Sequence, residues 1–73
     1  MELANRLRQY RFEYGEITQQ ELASAVGVTR VTIHSVETGK FVPSTVLALK
    51  LARFFDVGVD DLFYLTGNGK QEE

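Results

Sequence analysis

One segment restricts the fold of this chain more than any other: residues 18–40, which predict two short helices joined by a tight turn. Thr18 and Glu21 can form a capping box at the start of the first helix, in which each side chain accepts a hydrogen bond from the other residue's amide. Gly27 can end that helix in the left-handed conformation, and Thr29 can then cap the second helix. The apolar residues that recur at helical spacing and face inward are Leu22, Ala23, Val26, Ile33 and Val36.

Two short helices around a glycine turn match the helix-turn-helix motif. Where such a motif binds DNA, its second helix is the part that lies in the major groove.

The segments on either side predict three more helices. Residues 2–14 form the predicted first helix, because apolar side chains recur there at helical spacing. Ser44 is the predicted N-cap of a fourth helix, which runs to about Phe55 with one apolar face. The fifth helix is predicted to have Asp60 and Asp61 in its first turn, where carboxylates complement the helix dipole.

The expected fold class is all-α, a compact five-helix bundle containing the helix-turn-helix, since no segment alternates like a strand. A chain of 73 residues, 44% of them apolar and 25% charged, has the composition of one small globular domain. Residues 1–66 form the predicted domain, and residues 67–73 form a polar tail that is expected to be flexible.

Composition narrows the class of function. The chain has no cysteine, a single histidine and no glycine-rich phosphate loop, so we expect no metal, no cofactor and no catalytic site. So small a domain also offers little concavity for a small-molecule ligand. No apolar run approaches the roughly 20 residues that span a bilayer, so we expect no membrane contact and a cytoplasmic location.

The net charge of −2 argues mildly against a nucleic-acid partner, because a DNA-binding protein must neutralise phosphates. The charges are unevenly distributed, however. Residues 1–40 hold five basic and five acidic groups, whereas residues 41–73 hold three basic and five acidic groups. The acidic excess therefore lies in the C-terminal part, and a local basic face around the helix-turn-helix stays possible.

The order and spacing of these elements resemble the phage-repressor and Cro-like helix-turn-helix family, also called the xenobiotic-response-element family. The segments that carry the resemblance are NRLRQYR at 5–11, TQQELASAVGVTRVTI at 18–33, ETGK at 37–40, PS at 43–44 and LALKLARFFDVGVDDLF at 47–63. The resemblance implies a lambda-repressor-like domain and a transcriptional regulator. The implied partner is double-stranded operator DNA, bound by a homodimeric repressor with helix three in the major groove.

The resemblance also implies which residues contact DNA. Gln19 is expected to bridge a phosphate and a side chain of helix three. The loop after helix three is expected to grip the backbone through the Lys40 side chain and the amides of residues 40 and 41. The predicted DNA-binding residues are Gln19, Thr29, Arg30, Val31, Thr32, Ser35, Thr38 and Lys40.

Base reading is assigned to helix three. Arg30 can make a bidentate contact to guanine, or it can clamp a phosphate instead. Val31 departs from the family, which commonly has a polar residue there. Valine has no hydrogen bond to offer, so it can only pack against a thymine methyl group. Ser35 is expected to point into the groove, and Thr32 is expected to face the backbone.

Other residues receive structural interpretations. Arg11 and Glu37 match a family ion pair that ties helix one to helix three, so both are assigned to stability rather than to DNA binding or catalysis. His34, the single histidine, is expected to face solvent or to lie beside a phosphate. Phe41 is expected to cover the small core.

Helices four and five carry more apolar residues than one buried face requires, and the excess predicts a homodimer surface. The residues concerned are Val46, Leu49, Phe54, Phe63, Tyr64 and Leu65. The alternative is a closed core that uses more of these two helices. A second function also stays open, in which the domain is an antitoxin or an adaptor whose main partner is another protein.

Overall fold

Five short helices and two strands follow one another along residues 1–67, the part of the chain described by this computed structural model. In chain order the elements are β1 (Glu2–Asn5), α1 (Leu7–Glu13), α2 (Gln19–Val26), α3 (Arg30–Glu37), α4 (Thr45–Phe55), α5 (Val59–Leu62) and β2 (Phe63–Thr66). The predicted polar tail starts at Gly67 and otherwise lies outside the described residues. Within the described range, no helix is long and apolar enough to cross a membrane.

The turn between α2 and α3 forms as predicted. The Thr18 hydroxyl accepts from the Glu21 amide at 3.0 Å, and the Thr18 amide donates to the Glu21 carboxylate at 2.7 Å, which completes the capping box. Gly27 ends α2 at φ +80°, in the left-handed region that favours glycine. The Thr29 hydroxyl accepts from the Thr32 amide at 3.2 Å and so caps α3. Local chain chemistry thus sets where each of the two helices begins and ends.

One core, built by side chains of all five helices and β2, holds the elements together. Its buried apolar residues are Leu7, Leu22, Ala23, Val26, Ile33, Val36, Leu47, Leu51, Ala52, Phe55, Leu62 and Phe63. The inward faces predicted for α2 and α3 are confirmed, and α4 buries one apolar face as predicted, formed by Leu47, Leu51, Ala52 and Phe55. Burial of one leucine-sized side chain contributes about 1.5–3 kcal/mol, so the inner face of α3 fixes this helix firmly to the domain.

The all-α expectation is wrong in one respect, because β1 and β2 form a two-stranded antiparallel sheet. Its register pairs Glu2 with Thr66, and the first helix consequently begins at Leu7 rather than at residue 2. Leu3 lies at helical spacing from Leu7 but belongs to the strand. Each strand has four residues, too few for alternation to stand out in the sequence. The hydrogen bonds that stabilise β1 come from the far end of the chain.

The fifth helix is likewise shorter than predicted and ends at Leu62. Phe63 and Leu65, which the helical prediction includes, belong to β2, and aromatic residues such as Phe63 favour strands. The predicted start of the helix is confirmed, since both aspartates lie in its first turn. The Asp61 carboxylate accepts from the Gly58 amide at 2.9 Å and thereby stabilises this start.

Asn5 and Arg6, at the junction of β1 and α1, fasten the sheet to the helices. The Asn5 side-chain oxygen accepts from the Leu7 amide at 3.1 Å, and its nitrogen donates to the Val36 carbonyl at 2.9 Å, in the last turn of α3. The Arg6 amide donates to the Leu62 carbonyl at 2.8 Å. The sheet is therefore tied to the C-terminal ends of both α3 and α5.

Several residues of the predicted dimer surface belong elsewhere. Phe54 packs against Tyr14 with ring centroids 5.1 Å apart, beside the core. Phe63 is buried. Tyr64 lies under the Arg6 guanidinium, 4.2 Å from it, on the sheet face opposite Phe63. The closed core therefore uses more of the C-terminal elements than the dimer prediction assumes.

A smaller apolar surface remains exposed along α4, α5 and one face of the sheet. We name it the α4–α5 surface, and it consists of Leu3, Val46, Leu49, Val59 and Leu65. Leu3 and Leu65 are paired across the sheet and share one face. Leu49 and Val59 line two adjoining clefts of about 590 and 280 Å³, so the surface is continuous there. Leu3 and Val59 are members that the sequence did not predict.

Candidate nucleic-acid interface

The outer side of α3 carries the predicted base-reading residues. Arg30 and Val31 are exposed at its N-terminal end, and Val31 is 61% accessible although valine is a residue that proteins usually bury. Ser35 follows one turn after Val31 and is half-buried. Ile33, which faces inward, is fully buried. Val31 is therefore not needed for the core, as the sequence predicted.

Gln19, the first residue of α2, reaches α3 through its side-chain amide. The amide nitrogen donates to the Glu37 carboxylate at 3.1 Å and lies 3.3 Å from His34 Nδ1. The amide oxygen accepts from the Arg30 guanidinium at 3.4 Å, which is a long hydrogen bond. The predicted reach of Gln19 to side chains of α3 is thus present in the free protein.

Arg11 and Glu37 form the expected ion pair between α1 and α3. Arg11 Nε donates to Glu37 Oε2 at 2.7 Å, and Nη2 donates to Oε1 at 3.2 Å. The remaining nitrogen donates to the Ile17 carbonyl at 2.8 Å. The two side chains are only 9% and 6% exposed. The expected ion pair is confirmed, its assignment to stability stays a prediction, and its two charges compensate each other beside the candidate interface.

Hydroxyl groups among the predicted DNA-binding residues are already engaged within the protein. The Thr29 hydroxyl accepts the capping hydrogen bond of α3 and lies 3.0 Å from the Thr32 hydroxyl. The Thr38 hydroxyl is placed to donate to the carbonyl of His34 at 3.0 Å or of Ser35 at 3.3 Å. Phosphate oxygens only accept hydrogen bonds, so Thr38 must release these carbonyls before its hydroxyl can donate to DNA.

The loop after α3 differs from its prediction. The amides of Lys40 and Phe41 both donate to the Ser35 carbonyl, at 2.9 and 3.2 Å, so neither is free for a phosphate. The physical reason is that the last carbonyls of a helix lack partners within the helix, and the returning loop supplies them. Phe41 does not cover the core, since it is 46% exposed and lies outside the core cluster. The side chain of Lys40 is exposed.

An open groove of about 420 Å³ lies between α1 and the outer side of α3. Its lining residues are Arg8, Arg11, Phe12, Gln19, His34, Glu37 and Thr38. Two of them, Gln19 and Thr38, are predicted DNA-binding residues, and His34 is exposed as expected. Arg8 is absent from the sequence prediction, although its spacing of three residues from Arg11 indicates that both lie on one side of α1.

Comparison with known proteins agrees with this arrangement. A helix-turn-helix family model matches residues 15–62. An uncharacterized HTH-type transcriptional regulator from Archaeoglobus fulgidus is 49% identical over 61 residues, which cover 84% of this chain and 86% of the relative. The HTH-type transcriptional regulator YgzD from Bacillus subtilis is 38% identical over 63 residues, which cover 86% of this chain and 94% of the relative.

Two solved structures share the fold. The P22 c2 repressor, crystallised in complex with a synthetic operator, superimposes with a TM-score of 0.71 and 29% identity, over 75% of this chain and 82% of the repressor chain. The restriction-modification controller protein C.AhdI from Aeromonas hydrophila superimposes with a TM-score of 0.70 and 36% identity, over 77% of this chain and 83% of the controller chain.

The anchored α2–α3 pair and the exposed outer side of α3 define a helix-turn-helix protein of the DNA-binding class. The chain belongs to the Cro/C1-type helix-turn-helix family. It is accordingly a transcriptional regulator, as the resemblance in the sequence implies, and its family consists of DNA-binding regulators rather than enzymes.

Proposed function

We propose that this regulator is a repressor that binds operator DNA as a homodimer and places α3 in the major groove. One observation carries the proposal. The inner face of α3 buries Ile33 and Val36, while its N-terminal end presents Arg30 and Val31 to the outside. This end of a recognition helix is the part that meets base edges. The similar fold of the P22 c2 repressor, a protein crystallised with operator DNA, supports the same orientation.

Arg30 and Val31 read the sequence in this proposal. Within residues 1–67 the Arg30 guanidinium has only a long hydrogen bond to Gln19, so it can turn and donate to O6 and N7 of a guanine. Such a bidentate contact discriminates against a wrong base by about 1–3 kcal/mol. Val31 packs against a thymine methyl group, and Ser35 points into the same groove.

Phosphate contacts position the protein without reading the sequence. The residues that we assign to them are Gln19, Thr29, Thr32, Thr38 and Lys40. Because the protein has a net charge of −2, its general attraction for DNA is small. Base contacts and dimerisation therefore supply more of the affinity than they do in a strongly basic protein.

The α4–α5 surface is the proposed dimer interface. A twofold dimer uses the same patch on both protomers, so a single continuous apolar patch that includes Leu49 and Val59 suits it. Two recognition helices would then enter successive major grooves about 34–36 Å apart. Occupation of a promoter by such a dimer is the proposed means of repression.

Selection of bound sequences from a random pool of double-stranded DNA tests the proposal. We expect a symmetric or repeated site whose half-sites lie about 10 base pairs apart, centre to centre. Arg30→Ala is the matched variant: it should bind the selected site no better than random DNA, yet unfold at the wild-type temperature because Arg30 is exposed. Failure of the wild-type protein to enrich any such site would contradict the proposal.

The α4–α5 surface also supports a second candidate function, an antitoxin or adaptor whose main partner is another protein. In that case the exposed apolar residues contact a different chain rather than a second copy. A purified protein that shows no salt-sensitive binding to DNA would favour this candidate over the repressor.

A further inference from the structure

We propose that the groove between α1 and α3 binds one phosphate of the DNA backbone, with Arg8 and His34 as the donors. The inference rests on the proposed DNA-binding function and adds to it a site formed by Arg8, which the sequence did not assign to DNA, and His34, for which a neighbouring phosphate was one of two expectations. The groove has a volume of about 420 Å³, and Gln19 and Thr38 also line it.

The hydrogen bonds of Gln19 determine which nitrogen of His34 carries the proton. A carboxylate only accepts and a guanidinium only donates, so the Gln19 amide nitrogen must face Glu37 and its oxygen must face Arg30. In that orientation the nitrogen also donates to His34 Nδ1, 3.3 Å away. A ring nitrogen that accepts has no proton, so the neutral imidazole carries its proton on Nε2.

His34 Nε2 is consequently a hydrogen-bond donor on the far side of the ring from Gln19. Within residues 1–67 it donates to no acceptor, and the side chain is exposed where it lines the groove. Phosphate oxygens are the acceptors that a DNA backbone offers. The fixed tautomer therefore suits an anion and requires no rearrangement of the Gln19 network.

Arg8 supplies the charge of the site. Arg11 is compensated by Glu37, whose carboxylate accepts from two Arg11 nitrogens and from Gln19. Arg8 forms no ion pair within the described part of the chain. Its guanidinium lies 5.2 Å from the centroid of the Phe12 ring, a cation–π contact that holds it beside the groove. Arg8 thus provides the uncompensated positive charge that a phosphate needs.

The first experiment introduces uncharged methylphosphonates one at a time along a DNA site selected with the wild-type protein. Among the positions whose replacement weakens wild-type binding, one in each half-site should be the groove phosphate, with a loss of about tenfold, the effect expected for one charge-assisted hydrogen bond. At that position the replacement should weaken the binding of Arg8→Gln clearly less, because this variant has lost the Arg8 contact and keeps only the His34 donor. Arg8→Gln should also lower the slope of log affinity against log salt by about 0.9.

Arg53→Gln is the control for a general change in charge, since Arg53 is an exposed cation of α4 outside the groove. Methylphosphonates should weaken its binding at the same positions as in the wild-type protein, and its slope of log affinity against log salt should be unchanged. If Arg8→Gln behaves like Arg53→Gln while the wild-type protein binds its selected site, only this inference fails. If the wild-type protein binds no DNA, the proposed function itself fails.

The second experiment observes the ring nitrogens of His34 by nitrogen NMR, in which the single histidine gives an unambiguous signal. With the imidazole in its neutral form, the free protein should show the Nε2–H tautomer, and in Gln19→Ala this preference should fall to that of a free histidine side chain. Addition of the selected DNA should shift Nε2. Inorganic phosphate at the same phosphate concentration should leave the Nε2 signal unchanged.

A free protein with the Nδ1–H tautomer, or an unchanged Nε2 signal in the complex, would overturn the proposal. A shift of the Nε2 signal caused by inorganic phosphate alone would also overturn the proposal, since the groove would then be a general anion site.

Discussion

At the scale of single residues, the Glu37 carboxylate is the point where three helices meet. It belongs to α3, and it accepts from Arg11 of α1 and Gln19 of α2. The pair of charges is almost fully buried. Taking two charges out of water is costly, and it is tolerated only while both remain paired and hydrogen-bonded. The placement of α3 is therefore sensitive to the loss of either partner.

Arg11→Met should lower the free energy of unfolding by about 3–5 kcal/mol, because it leaves the Glu37 charge buried without its partner. Urea unfolding measures the loss. The double variant Arg11→Met with Glu37→Leu should recover much of it, since no charge then stays buried. A wild-type melting temperature in Arg11→Met, together with abolished operator binding, would show that Arg11 is a DNA contact instead.

Val31→Ala should leave stability within about 0.5 kcal/mol of wild type, because the side chain is exposed. It should weaken binding to the selected site about fivefold, the effect of losing roughly 1 kcal/mol of apolar contact. Uracil in place of single thymines provides the matched test on the DNA. Wild-type binding should weaken when the methyl group is missing at one position. The binding of Val31→Ala should be unchanged by the same replacement. If no uracil replacement weakens wild-type binding, Val31 does not contact a thymine methyl group.

At the scale of elements, the helices that carry their own caps are predictable from the sequence. Thr18, Thr29 and Ser44 each accept from the amide three residues further on, and this signal is local. The strands lack such a signal, because β1 is stabilised by β2 from the far end of the chain. The wrong start of α1 and the wrong end of α5 have this one cause.

The candidate site divides in the same way. The exposure of Arg30 and Val31 follows from helical spacing, and the ion pair of Arg11 with Glu37 follows from the family resemblance. The occupied amides of the loop after α3 depend on where the Ser35 carbonyl lies in space. Residue spacing does not show that the loop folds back onto this carbonyl, so the occupied amides of Lys40 and Phe41 could be found only in the structure.

Asn5→Ala tests the tie between the sheet and the recognition helix. It removes the acceptor for the Leu7 amide and the donor to the Val36 carbonyl, so we expect a loss of about 1–2 kcal/mol in urea unfolding. Asn5→Asp keeps the acceptor and loses the donor, so its free energy of unfolding should lie between those of the wild-type protein and Asn5→Ala. Gln9→Ala, which removes an exposed side-chain contact of α1, should stay near wild type. An Asn5→Ala protein as stable as Gln9→Ala would show that the two Asn5 hydrogen bonds contribute nothing to the free energy of unfolding.

At the scale of the whole molecule, the α4–α5 surface and the proposed base-reading residues occupy different elements. The α4–α5 surface contains residues of β1, α4, α5 and β2, whereas the proposed base-reading residues all lie on α3. The proposed dimerisation and the proposed base reading should therefore be separable by mutation. Because a dimer engages two half-sites at once, a loss of dimerisation should still weaken operator binding.

Leu49→Glu should convert the protein to a monomer in sedimentation experiments without DNA, because it places a charge in the centre of the α4–α5 surface. Phe12→Glu is the control, since Phe12 is a similarly exposed apolar residue on α1, and it should remain dimeric. A wild-type protein that sediments as a monomer at high concentration would contradict the proposed interface.

The pairing of β1 with β2 has a consequence for how this small domain can be rewired. Glu2 lies opposite Thr66, and the backbone of Gly67 approaches that of Met1 so closely that a Cβ on Gly67 would stand 3.2 Å from Met1 Cα. A short peptide linker can therefore join these two residues into a ring without displacing either strand. Ring closure restricts only the unfolded chain, so the cyclic domain should melt at a higher temperature while its recognition helix stays unchanged. New chain ends could then be opened in the turn at Gly15, which lies between α1 and α2 and outside both strands.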